Sequence, residues 1–128
     1  MTLAIADHHS QPKHVVLCID DDMQMLNVLD AFLTNSGYRV LTASTPESAL
    51  MLFLNNHVDA VVTDYEIGEA TREDIIRSLR SLRPGIPVVL FSGAECLPNT
   101  VLTLADGSVH KTQTGMLRVE LAKLLGRV

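Results

Sequence analysis

The sequence predicts an α/β fold in which a parallel sheet carries helices on both faces. Two observations support this. Short, mainly apolar runs recur at residues 15–19, 58–63 and 86–91, the second interrupted by Asp59, and such runs read as strands buried on both faces. Between them, apolar residues return every three or four positions, the period of a helix packed along one side. Regular alternation of the two patterns is how parallel strands are joined.

Taken in order, residues 1–13 contain His8, His9 and Pro12 without a period. They read as a flexible or partly docked leader, because adjacent histidines alone fix no metal geometry. The folded domain is expected over residues 14–128. The first strand, Val15-Val16-Leu17-Cys18-Ile19, ends in three carboxylates, Asp20, Asp21 and Asp22. Met25, Leu26, Leu29, Phe32 and Leu33 then recur at helical spacing, with Gly37 where a C-cap is expected. Residues 38–43 give a second strand. Thr45-Pro46 pairs an N-cap with proline at the first helical position. Ala49, Leu50, Phe53 and Leu54 supply that helix's expected buried face, and Met51 is expected to pack as well.

The run at 58–63 ends in Asp64, and a loop follows at 68–71. Thr71 and Asp74 have capping-box spacing. Ile75, Ile76, Leu79 and Leu82 mark a third helix, stopped by Pro84-Gly85. Strand 86–91 runs into Ser92-Gly93. Leu97, Val101, Leu102 and Ala105 form a weaker helical pattern, then a brief strand at 108–110 ends at Lys111. Leu117, Leu121, Leu124 and Leu125 mark a last amphipathic helix, with Gly126 near its end. Five βα units with short right-handed crossovers favour the five-stranded flavodoxin-like order 2-1-3-4-5. Strands 1 and 3 are neighbours in that order, so Asp20 and Asp21 are expected to face Asp64 across one crevice.

Composition narrows the function. A chain of 128 residues, 47% apolar and 20% charged, suits one globular domain and not a disordered one. A net charge of −5 with no Lys/Arg cluster argues against direct binding to nucleic acid or an anionic membrane. The sequence has no 18-residue apolar run and no signal-peptide pattern, so a cytoplasmic location is expected. Cys18 lies inside a strand and Cys96 in an expected loop; the pair has no metal-type spacing and suggests no disulfide framework.

The carboxyl ends of the strands collect the chemistry: Asp20, Asp21 and Asp22 from strand 1, Asp64 from strand 3, Ser92 from strand 4, Lys111 from strand 5. Carboxylates crowded together invite a hard divalent cation, and Mg2+ suits one or two of them with waters and phosphate oxygens. A lysine can pair with a carboxylate or an arriving phosphoryl group, and a serine hydroxyl can donate to a phosphoryl oxygen. Such parts stabilise phosphoryl transfer onto a carboxylate by positioning and charge neutralisation. Each also has a plainer role. One acid caps a helix start, Ser-Gly is ordinary turn chemistry, and an isolated lysine is usually solvated.

An acid pair, a lone Asp, a Ser/Thr and a Lys at successive strand ends resemble the receiver domain of bacterial two-component response regulators. The resemblance covers residues 14–126. It implies that Asp64 is the phosphoacceptor, taking phosphate from a sensor histidine kinase or a histidine phosphotransfer protein. It also implies that Asp20 and Asp21 hold Mg2+, with Asp21, Asp64 and the Glu66 backbone carbonyl as direct ligands. Ser92 would take the switch hydroxyl position and Lys111 would contact the phosphoryl group. Asp22 is then a helix-start residue, and His110 beside Lys111 reads as structural. Such a domain is a signalling module with at most slow autodephosphorylation, and not an enzyme in the ordinary sense. With no output domain after residue 128, its signal is expected to pass to a separate effector protein, unless the chain is a fragment of a longer regulator.

Several positions depart from the family pattern. Gly68 stands where proline is usual and Arg72 where glycine is usual; Lys111-Thr112 replaces Lys-Pro and its cis bond, and Ser108 replaces an aromatic switch residue. The segment between Ser92 and Lys111 is short, so a reduced fourth helix is expected. Two other readings compete. A degenerate receiver would act as an interaction module without phosphorylation. Ile19-Asp20-Asp21-Asp22 also resembles the signature of haloacid dehalogenase-type phosphatases, with Asp20 as nucleophile and Asp22 as acid/base. That family needs a further acidic motif after Lys111, where only Glu120 remains.

Overall fold

A computed structural model describes residues 13–65, 72–94 and 97–126. Five parallel strands form one sheet: β1 (Val15–Ile19), β2 (Arg39–Ala43), β3 (Ala60–Thr63), β4 (Val88–Ser92) and β5 (Gly107–His110), in the order β2-β1-β3-β4-β5. Five helices alternate with them: α1 (Met23–Asn35), α2 (Pro46–Asn55), α3 (Arg72–Leu82), α4 (Asn99–Leu104) and α5 (Gly115–Leu124). A 3-10 turn, Lys111–Gln113, follows β5. The expected fold class and strand order are both present.

Strand geometry divides the core in two, because successive side chains point to opposite faces. Leu17, Ile19, Val61, Val88 and Leu90 pack with Ala49 and Phe53 of α2, Ile75, Ile76 and Leu79 of α3, and Val101 of α4. Val16, Cys18, Ala60, Val62, Val89 and Phe91 pack with Leu26, Leu29 and Leu33 of α1 and with Leu117 and Leu121 of α5. Burial on both faces explains why β1, β3 and β4 read as mainly apolar runs and not as alternating ones.

The helix boundaries follow local chemistry. The Asp22 carboxylate caps α1 by accepting the Gln24 and Met25 N–H groups. Gly37 follows the Ser36 C-cap with φ +100, a conformation in which a Cβ is strained. Thr45 caps α2 in a reciprocal box with Ser48, and Pro46 opens the helix. The expected Thr71 cap of α3 lies outside the described residues, as do His8, His9, Glu66, Gly68 and Cys96.

Four apolar expectations need correction. Leu54 and Met51 are exposed, at 62% and 60%. The face of α2 turned to the sheet runs through Ala49 and Phe53, flanked by Leu50 and Leu52, which leaves Met51 on the opposite side. Leu82 and Leu102, at the last turns of α3 and α4, are also exposed. Two apolar runs overshoot their strands: β3 begins at Ala60 and β4 at Val88, although Val58 and Ile86 are buried. Those two residues pack into the core from the segments that lead into the strands.

The strand starts are tied by charged side chains. Asp59, just before β3, donates its N–H to the Val15 carbonyl at 2.8 Å and accepts the Val15 N–H on Oδ2 at 2.7 Å. Asp106, just before β5, does the same to Val88, with both bonds at 2.8 Å, and pairs with Arg80 at 2.6 Å. Arg83 donates to the Val58 carbonyl and lies 5.4 Å from the centroid of the Phe53 ring.

Candidate functional site

At the opposite end of the sheet the strands deliver the acids. Asp20 follows β1 and donates its N–H to Ala43 at the end of β2. Asp64 follows β3 and donates to the Ile19 carbonyl at 2.9 Å, which sets it beside Asp20. The register pairs Ile19 with Thr63, so the two acids leave adjacent strands at the same level. The expected facing of Asp20 and Asp21 with Asp64 is therefore present. One carboxylate oxygen from each of the three lies within 4.8 Å of those of the others.

Their surroundings differ. Asp20 is 1% exposed; its Oδ1 accepts the Asp22 N–H at 2.9 Å, and its Oδ2 lies 3.0 Å from the Lys111 ammonium. Asp64 is 9% exposed, with Oδ2 3.3 Å from the same ammonium. Asp21 is exposed. Lys111 thus spans β1 and β3 from the end of β5. Burial disfavours its charge and is the strongest single influence. The hydrogen bond to Asp20 and the charges of Asp64 and Asp20 together outweigh it and hold the lysine above its ordinary value.

Ser92 ends β4, is buried, and accepts the Ala94 N–H on its hydroxyl at 3.1 Å. Leu90 pairs with Thr63, so Ser92 stands two residues further along, on the same edge as Asp64. Its other neighbour in register is His110 of β5. Beside it a cavity of about 400 Å3 lies between α4 and β5, lined by Ser92, Leu97, Leu102, Ser108 and His110 among others. Helix α4 is only six residues long, as the short segment predicts.

Three further residues find their place. Asp22 caps α1 and is not among the three acids that converge, so it does not stand as a second catalytic carboxylate beside Asp20. Cys18 is a free, fully buried thiol; burial, then the charges of Asp30 and Asp20, push its pKa far up and leave it protonated. His110 does more than the sequence suggests. Its Nδ1 accepts the Thr112 N–H at 3.2 Å and meets the Thr112 hydroxyl at 2.8 Å, capping the turn that begins with Lys111. The available signal was a side chain with an acceptor two residues before a backbone N–H, the spacing of an Asx-type turn. All described peptide bonds are trans, including Lys111–Thr112.

Chemically the donor set is hard. Three oxygen ligands converge from two strand ends, and three negative charges meet one ammonium, so a divalent cation would bring the four groups to neutrality. The residues present fit Mg2+, which takes few carboxylates and keeps room for water and phosphate oxygens. Among the described residues no helix is long and apolar enough to cross a membrane.

Comparison with known proteins agrees with this geometry. The sequence profile of the response regulator receiver domain matches residues 16–113. The transcriptional regulatory protein GlrR of Escherichia coli K12 is 29% identical over 97 residues, 76% of this chain but 22% of its own length. The regulatory protein VirG of Agrobacterium fabrum is 30% identical over 85 residues, 66% of this chain and 33% of its own. The chain thus spans between about a fifth and a third of these relatives. Among solved structures, a receiver domain protein from Clostridium thermocellum superposes with a TM-score of 0.81 at 26% identity, covering 88% of this chain and 94% of that one. TrrA of Thermotoga maritima, solved in complex with Mg2+ and BeF, shares the fold at a TM-score of 0.81 and 24% identity, covering 88% and 99%. A profile that takes in β1 with its acids, Asp64, Ser92 and Lys111 makes this chain a member of the response regulator receiver domain family.

Proposed function

We propose that the domain accepts a phosphoryl group on Asp64 from a sensor histidine kinase or a histidine phosphotransfer protein, and that a separate effector protein reads the result. The carrying observation is the Lys111 ammonium, held 3.0 Å from Asp20 and 3.3 Å from Asp64 beside the convergent acids. Asp20, Asp21 and Asp64 would hold Mg2+, joined by the backbone carbonyl of Glu66. When bound, the ion supplies charge neutralisation for the incoming phosphoryl oxygens.

The chain's own groups do the rest. An Asp64 carboxylate oxygen attacks phosphorus and forms the acyl phosphate, while the phosphorus–nitrogen bond of the donor histidine breaks and its electron pair stays on the imidazole. Lys111 moves its contact from the Asp64 carboxylate to a phosphoryl oxygen, and Ser92 donates its hydroxyl to another. Both keep a charge-bearing group oriented in a largely buried site, where such bonds are strongest. Ser92 releasing the Ala94 N–H and Lys111 shifting its ammonium would alter the surface around α4 and β5, a population shift that the effector senses.

The reading is tested with acetyl phosphate and Mg2+, followed by intact mass and borohydride trapping of the modified residue. One phosphoryl group trapped at Asp64 is expected. No mass gain in a folded wild type would favour the degenerate interaction module, and a modification at Asp20 would favour the phosphatase reading.

A further inference from the structure

We propose that His110 is a positioning residue for Lys111, an inference that rests on the phosphoacceptor reading above. The observation is a closed ring of contacts around the lysine's backbone. His110 ends β5, and its Nδ1 accepts the Thr112 N–H at 3.2 Å and the Thr112 hydroxyl at 2.8 Å. Lys111 is the single residue inside that ring, so its φ and ψ are held from both sides. It then opens the 3-10 turn Lys111–Gln113, for which His110 is the N-cap. From this fixed base the side chain reaches across to Asp20 and Asp64.

Chemistry requires His110 to be an acceptor here. A backbone N–H can only donate, so Nδ1 carries its lone pair toward Thr112 and the ring proton sits on Nε2. The arrangement also depends on the residue at 112. Proline has no N–H, so only another residue at this position can close the ring. Threonine supplies the N–H and adds a hydroxyl. A lysine side chain has four rotatable carbons, and its ammonium can reach two carboxylates in one geometry only if its backbone stays put. His110 and Thr112 together provide that fixity.

The test uses the full chain with His110→Leu, His110→Asn and Thr112→Ala. Leucine keeps bulk and removes the acceptor; asparagine restores an oxygen that can accept the i+2 N–H. With acetyl phosphate at saturating Mg2+, His110→Leu should be phosphorylated about ten- to a hundredfold more slowly, the scale expected when a reacting group is misplaced by about 1 Å. Mg2+ affinity by calorimetry should not weaken, because the acids are untouched and the ammonium that shares them has moved away. His110→Asn should recover most of the rate, and Thr112→Ala, which keeps the N–H, should slow it less than His110→Leu does. Crystal structures of the wild type and His110→Leu supply a readout independent of phosphorylation: the Lys111 contacts to Asp20 and Asp64 should be present in the first and lost in the second. Wild-type rates in His110→Leu, unmoved Lys111 contacts, or an asparagine variant no faster than leucine would each overturn the proposal. A wild type that takes no phosphoryl group would overturn the phosphoacceptor reading instead, and the paired structures would still decide whether His110 positions Lys111.

Discussion

The two ends of the sheet use the same residue type in opposite ways. At the end where the strands start, Asp59 and Asp106 each stand one residue before a strand and bind both backbone groups of the first residue of a neighbouring strand. Each has a cationic or imidazole partner, Arg80 for Asp106 and His57 for Asp59. At the end where the strands finish, Asp20, Asp21 and Asp64 crowd one another with Lys111 among them. One end spends its carboxylates on closing backbone hydrogen bonds. The other holds them close together, an arrangement that like charges disfavour and that a divalent cation would relieve. A protein gains function where it keeps such unfavourable groups together.

That contrast can be broken in three ways. The largest effect should come from Mg2+ itself: at about a hundred times its dissociation constant, it should raise the unfolding free energy by about 2.7 kcal/mol. Asp64→Asn should remove most of that gain, and without metal it should be more stable than the wild type by about 1 kcal/mol, because a like charge is gone. Urea unfolding with and without Mg2+ measures both. The next effect lies at the other end. Asp106→Ala should lower stability by about 2 kcal/mol with or without Mg2+, since the Val88 N–H loses its acceptor.

The smallest effect is a pH dependence. The Asp59 carboxyl has burial working to raise its pKa, and the Val15 N–H and His57 together outweigh it and lower it. A carboxyl lowered in the folded state adds stability that is full above its unfolded value of about 3.9 and is lost as pH falls through the lower folded value. Stability below about pH 4 should therefore fall less steeply in Asp59→Asn than in the wild type. Equal acid slopes would remove Asp59 from the account.

Much of this was legible in the residues. The apolar runs, Thr45-Pro46, Gly37 and the acids at strand ends need only local rules, and strand order follows from alternation and crossover handedness. The Asp59 and Asp106 ties were not legible. Asp59 bonds a residue 44 positions away, and its partner is known only once β1 and β3 are neighbours. The overshoot of the runs at Val58 and Ile86 has the same origin, since a residue can be buried against the core without joining the ladder. Met51 and Leu54 went astray because hydrophobicity alone does not say which side of a short helix meets the sheet. At the site, Asp20, Asp64 and Lys111 could be named from their places at strand ends. The grip of His110 on Thr112 was only hinted at by its spacing of two residues, because the sequence assigns no rotamer to a histidine ring.

The most direct test of the central claim sets the two ends side by side in one experiment. Wild type, Asp64→Asn and Asp59→Asn are each incubated with acetyl phosphate and Mg2+, and intact mass is read. A gain of one phosphoryl group in the wild type and in Asp59→Asn, with none in Asp64→Asn, is the predicted result. A gain that survives in Asp64→Asn, or one lost in a folded Asp59→Asn, would contradict the division of labour between the two ends.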